Sequence, residues 1–168
     1  MTLTELNALD KTRLHLSLIQ CCGSGVWVEK MCAGFPLKDE QELFELAGKK
    51  WLECGEKDWK EAFSYHPKIG DLAGLQKKFS GSHQWAEGEQ ASVNQATPEV
   101  LQALITYNTV YEEKFGYIFI VFASGKTAVE LLDILHVRLS RSPGEEIKTA
   151  MNEQHKITIH RLQKLLRL

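Results

Sequence analysis

Apolar residues recur along this chain at intervals of three and four, the spacing that gathers them on one face of a helix. Thr4 to Asp10 is a short helical lead-in, with Leu3, Leu6 and Leu9 three apart. Lys11 to Cys22 carries Leu14, Leu18 and Cys21 or Cys22 on one face, until Gly23-Ser24-Gly25 ends it. Val26 to Ala33 forms one short helix with Trp27 and Met31 four apart. After the break at Gly34-Phe35-Pro36, Asp39 opens a stronger helix through Leu43, Phe44, Leu46, Ala47, Trp51 and Cys54, with Gly55 as its expected stop. Glu56 to Tyr65 follows, with Trp59, Ala62 and Phe63 inward.

Beyond residue 71 the pattern continues. Leu72, Leu75 and Phe79 fit one or two helical turns, Ser80-Gly81-Ser82 is a turn, and His83 to Val93 reads as a helix with a polar face. Thr97-Pro98-Glu99 is a start signal, an N-cap followed by proline at the first helical position. The helix it opens runs to Phe115, and Gly116 ends it. Thr127 to Ser140 is amphipathic through Ala128, Leu131, Leu132, Leu135 and Leu139. Ser142-Pro143-Gly144-Glu145 opens a last helix striped by Ile147, Ala150, Met151, Ile157, Leu162, Leu165 and Leu166.

One stretch breaks the helical rule. Tyr117-Ile118-Phe119-Ile120-Val121-Phe122-Ala123 is apolar at every position, as a buried strand would be. No second segment of similar quality could pair with it. The expectation is therefore a short buried extended connector among helices, whose backbone groups must find partners other than a sheet. The fold class predicted is all-α: one compact single-domain bundle over residues 1–168, of about eight or nine helices.

Composition narrows the function classes. The chain is 43% hydrophobic and 25% charged, with a formal net charge of -2 and no long basic block. That argues against nucleic acid and against an anionic membrane surface as partners. No apolar run approaches the about 18 residues a membrane span needs. The first residues lack the basic and apolar regions of a secretion signal, and the last, Leu-Leu-Arg-Leu, are not the peroxisomal Ser-Lys-Leu. A cytoplasmic location is expected. Cys21, Cys22, Cys32 and Cys54 match neither a zinc pattern nor a C-x-x-C redox motif, and read as reduced thiols.

Candidate chemistry centres on Tyr65-His66-Pro67-Lys68-Ile69-Gly70-Asp71. Pro67 lacks a backbone donor and drives His66 out of the helical region, so the preceding helix should stop near Tyr65. His66 is then pinned on a stiff corner, and its unperturbed pKa near neutrality suits proton transfer. A capped helix end carrying a surface histidine is the plainer account. The six histidines form no zinc spacing, and no phosphate loop, dinucleotide fingerprint or serine elbow is present. Glu89-Gln90 offers a carboxylate beside an amide that both donates and accepts, although alone it describes a solvated helix face. Arg161 falls inside the apolar stripe of the last helix. It either snorkels to solvent or aims its guanidinium into a cavity, as recognition of a carboxylate or ureido group would require.

Taken together, His66-Pro67-Lys68-Ile69-Gly70-Asp71, Trp85-Ala86-Glu87-Gly88-Glu89-Gln90-Ala91, the run from Tyr107 to Ile120, Arg138-Leu139, and Glu153 to Leu162 resemble one family in order and spacing. It is the OHCU decarboxylases, which convert 2-oxo-4-hydroxy-4-carboxy-5-ureidoimidazoline to S-allantoin in urate oxidation. The resemblance covers nearly the whole chain. It implies an all-helical homodimer acting without cofactor or metal on a small ureidoimidazoline. His66 and Glu89 would match the catalytic pair. Pro67, Ala86, Glu87, Gly88, Glu89 and Gln90 would line the substrate, as would Ile120, Val121, Phe122, Ala123 and Ser124 through backbone groups, and Arg161 from the final helix. Charge left by decarboxylation can delocalise within the substrate as an enolate, so no thiamine or pyridoxal sink is required. Ala86 departs from the serine of many members, and Ser124 from the arginine of some. Two other readings fit the residues: a cofactor-free hydrolase or isomerase of another ureido compound, and a non-catalytic helical interaction domain.

Overall fold

The structure, a computed structural model, describes residues 1–67 and 98–167. All regular structure among them is helical: α1 (Leu3–Asn7), α2 (Lys11–Cys21), α3 (Gly25–Cys32), α4 (Glu40–Leu52), α5 (Glu56–Ser64), α6 (Pro98–Phe115), α7 (Ala128–Leu139) and α8 (Pro143–Arg167). The all-α class read from the periodicity is what is found. The helices expected at 72–79 and 83–93 lie outside the described residues.

Local chemistry sets the helix starts. Asp10, Ser24 and Asp39 each accept a hydrogen bond from the backbone N–H three residues on. Thr2 and Thr127 form full capping boxes with Glu5 and Glu130. Each such cap stabilises its helix by about 1 kcal/mol. Gly55 plays a different part from the one its sequence suggested. Helix α4 already ends at Leu52, where Lys30 Nζ donates to the Glu53 carbonyl at 2.7 Å. Gly55 instead starts α5: its carbonyl accepts from Trp59 N–H at 3.0 Å and its N–H donates to the Asp58 carboxylate at 2.9 Å.

The described chain forms two compact units. The first comprises Met1–Ala62 with Gln154–Leu168. Here α3 packs on both α2 and α4 around Leu18, Trp27, Met31, Leu43, Ala47 and Trp51. The indole N–H of Trp27 donates to the Ala47 carbonyl at 3.1 Å, so its one polar group is satisfied inside the core. Asn7 ties the loop before α4 to α1, donating to the Leu37 carbonyl at 2.7 Å and accepting from its N–H at 3.0 Å. The Phe35–Pro36 bond in that loop is cis.

Gly48 makes room for His155. A Cβ at Gly48 would lie 3.3 Å from the His155 ring, closer than the packing tolerates without adjustment. The ring is half-buried, and its Nδ1 has no hydrogen-bond partner among the described residues. Burial pushes the His155 pKa below its ordinary value of 6.5.

The second unit spans Phe63–Glu153, with α6 packed on α7. Two glycines shape its turns. Gly116, at φ +77°, ends α6 by donating its N–H to the Glu112 carbonyl. Gly125, at φ +76°, occupies the third position of a turn closed by Lys126 N–H on the Ala123 carbonyl at 3.0 Å. Between those turns runs the apolar stretch, without helix or ladder, with Phe119, Ile120, Val121 and Ala123 buried.

The His155 environment generates a pH prediction. The folded chain holds the ring neutral and the unfolded chain does not, so the unfolded state gains a proton first as pH falls. Stability is therefore lost as pH drops through 6.5 toward the lowered folded value. In urea titrations across that range, wild type should lose more stability than His155→Leu, which cannot titrate. Parallel pH profiles for the two proteins would refute this.

Candidate active site

Helix α5 ends at Ser64, Tyr65 is in a turn, and His66 sits on the bend before Pro67. This is the helix exit the proline was expected to impose. The His66 backbone N–H still reaches the Phe63 carbonyl at 3.1 Å, which anchors the corner. His66 is 8% exposed, while neighbouring Tyr65 is 45% exposed. The histidine is thus turned into the protein, which removes the picture of a surface residue on a capped end. Pro67 is half-buried.

The connector lies in the same unit. Phe63 and Tyr117 bring the end of α5 beside its start, with ring centroids 5.3 Å apart. Its backbone is held by charged side chains. Arg138 Nη1 donates to the Ile120 carbonyl at 2.6 Å. The Phe122 N–H donates to Glu153 Oε2 at 2.8 Å, and Lys126 Nζ donates to the Phe122 carbonyl at 2.9 Å. The N–H groups of Val121, Ala123 and Ser124 make no hydrogen bond among the described residues. Ile120, Val121 and Ala123 are buried, Phe122 is half-buried, and Ser124 is exposed at the turn.

Behind the connector is a buried polar network that sequence reasoning passed over. Arg138 and Glu146 have side chains 3% and 0% exposed and approach to 2.5 Å. Arg138 Nε also donates to Glu146 Oε1 at 2.6 Å. The Tyr111 hydroxyl donates to that same carboxylate oxygen and accepts from Arg138 Nη2 at 3.3 Å. Arg141 Nη1 lies 3.6 Å from the second carboxylate oxygen. The guanidinium is stacked over the Phe119 ring, 4.6 Å from its centroid. Burial raises the Tyr111 pKa, and its hydrogen bond to Glu146 adds to the rise against the opposing pull of Arg138. The phenol stays protonated and serves as a donor. One signal in the sequence marks this network: Arg138 follows Leu131 and Leu135 at helical spacing, a charge on the face of α7 that points inward.

Arg161 belongs to the first unit. It is buried, 9% exposed, so it does not snorkel to solvent. Its charge lowers the pKa values of Cys21 and Cys22, but burial dominates and pushes both thiols up to about 12. All four cysteines are free thiols. Ala86, Glu87, Gly88, Glu89 and Gln90 lie outside the described residues. Among the described residues no three His, Cys, Asp or Glu side chains gather as metal ligands. No described helix is long and apolar enough to cross a membrane.

An all-helical chain with an inward-turned histidine and a charge-held connector fits a small-molecule site more readily than a docking module. Comparison with known proteins is specific. The family model for OHCU decarboxylase matches residues 7–163, so the chain belongs to that family. It is 32% identical over 145 residues to the uric acid degradation bifunctional protein TTL of Arabidopsis thaliana, a match covering 86% of this chain. It is 26% identical over 168 residues to the uric acid degradation bifunctional protein of Bacillus sp. (strain TB-90), covering 99% of this chain. The chain spans 45% and 32% of the lengths of these two relatives. A crystal structure of OHCU decarboxylase in the presence of (S)-allantoin superposes with a TM-score of 0.76 at 34% identity, covering 89% of this chain and 96% of that one.

The Arg138–Glu146–Tyr111 network predicts a large, context-dependent loss. Arg138→Ala strands a buried carboxylate and should cost about 3–5 kcal/mol in urea unfolding. The triple variant Arg138→Met, Glu146→Leu, Tyr111→Phe removes the charges together and should recover at least half of that. A single variant within about 1 kcal/mol of wild type would show that the pair is not desolvated as described.

Proposed function

We propose that this chain is a cofactor-independent decarboxylase that converts 2-oxo-4-hydroxy-4-carboxy-5-ureidoimidazoline to S-allantoin. The observation that carries the reading is the family match over residues 7–163, which spans both units and supports one decarboxylase domain over the whole chain. The inward-turned His66 and the connector at Ile120 to Ser124 agree with it.

In this mechanism the bond to the carboxylate breaks and carbon dioxide leaves. The electron pair passes into the unsaturated ring, which takes up one proton. The resulting enol becomes a ketone when its hydroxyl proton departs and the ureido-bearing carbon gains a proton on one face. His66 is the acid that delivers that proton, and Glu89 polarises the hydroxyl. Gln90 and backbone N–H groups of the connector hold the ureido and ring oxygens, stabilising the charge that develops there. Arg161 takes the substrate's anionic or ureido group in a fork of hydrogen bonds. Pro67 and the segment Ala86-Glu87-Gly88 complete the walls. The working form is a homodimer in the cytoplasm, a state that sedimentation equilibrium tests by returning twice the chain mass.

The decisive assay generates the unstable ureidoimidazoline in situ from urate with the two preceding enzymatic activities, then follows circular dichroism. Added protein should give rapid growth of a single allantoin enantiomer. His66→Asn should lower kcat on the order of a hundredfold or more while keeping the fold. Racemic allantoin at the spontaneous rate would end the proposal.

A further inference from the structure

Charged side chains hold the connector at two of its residues. Ile120 offers its carbonyl to Arg138, and Phe122 offers its N–H to Glu153 and its carbonyl to Lys126. The N–H groups of Val121 and Ala123, and that of Ser124 at the turn, have no partner among the described residues. Buried N–H groups normally find one. A sheet strand obtains its register from a neighbouring strand. Here the connector is held by a guanidinium, a carboxylate and an ammonium, each making a charge-assisted bond to the main chain.

We propose that Glu153 and Arg138 are positioning residues for substrate. They fix the connector so that the N–H groups of Val121, Ala123 and Ser124 present a row of donors to the ureido and ring oxygens. This rests on the decarboxylase reading and assigns a role to two side chains that touch no reacting atom. Arg138 is committed to Glu146 and Tyr111 as well, so its removal damages the fold. Glu153 is the cleaner handle because it is half-buried at the end of the unit. Gln at this position keeps an acceptor oxygen for the Phe122 N–H, and Ala does not.

The test compares Glu153→Ala with Glu153→Gln in the allantoin assay. Glu153→Ala should lose about tenfold to a hundredfold in kcat/KM, the scale of one lost charge-assisted hydrogen bond. Most of the loss should fall in KM, because a smaller folded fraction would scale kcat and leave KM unchanged. Glu153→Gln should restore KM to within a few-fold of wild type. In wild type, (S)-allantoin should slow amide exchange at Val121, Ala123 and Ser124 and leave Phe122 unchanged, a readout that needs no variant to fold. An unchanged KM in Glu153→Ala, or no response of those three amides to ligand that shifts other resonances, overturns the positioning role. Wild-type protein without turnover overturns the decarboxylase reading and this role with it.

Discussion

A buried ion pair, Arg138 with Glu146, carries the constraint on which the second unit depends. Taking both charges out of water costs several kcal/mol each, and a bare pair seldom recovers that. Here the guanidinium donates to the carboxylate, to the Ile120 carbonyl and to the Tyr111 hydroxyl, with its face against Phe119. Each bond in the cluster offsets part of the desolvation, and one of them reaches the main chain of the connector. The same pair also joins α7 to the first turns of α8, because Arg138 lies on one and Glu146 on the other. An apolar replacement could fill the volume, but it could not hold an unpaired backbone carbonyl at residue 120.

That arrangement answers the question the apolar run poses. Seven consecutive apolar residues invite a sheet, and burial forbids leaving their peptide groups bare. Helical neighbours cannot supply a ladder, since their own backbone groups are spent internally. Side chains do it instead. Arg138 reaches the connector from α7 and Glu153 from α8, and Lys126 closes on it from just beyond the following turn. The absence of a pairing strand in the sequence and the presence of charges on inward helix faces are two aspects of one solution.

Much of this was legible from residue spacing. The helix starts at Asp39 and Pro98 follow from local chemistry that needs no tertiary knowledge, whereas Asp10, read as the end of the lead-in helix, is the N-cap of α2. His66 at a helix exit follows from Pro67 for the same reason. Gly55 misled because a glycine after a helix and a glycine before the next one look identical in sequence, and Asp58, which decides between them, was not weighed. The pairing of Arg138 with Glu146 is not legible because a helix break falls between them, and charge on an apolar stripe is ambiguous between snorkelling and pairing. Arg161 posed the same ambiguity, and its 9% exposure resolves it toward burial.

Both arginines therefore sit on helix faces that hydrophobic patterning assigns to the core, and they mark where the chain departs from simple packing. A bundle stabilised only by apolar contact would lose nothing by replacing Arg138 with leucine at equal volume. What leucine cannot supply is direction. Hydrogen bonds from Arg138 and Glu153 orient the connector's peptide groups, and under the proposed mechanism oriented donors stabilise the charge that develops on the substrate. Under the proposed mechanism the stability cost of burying charge in the second unit and the need for an oriented backbone fall on the same residues, Arg138 above all.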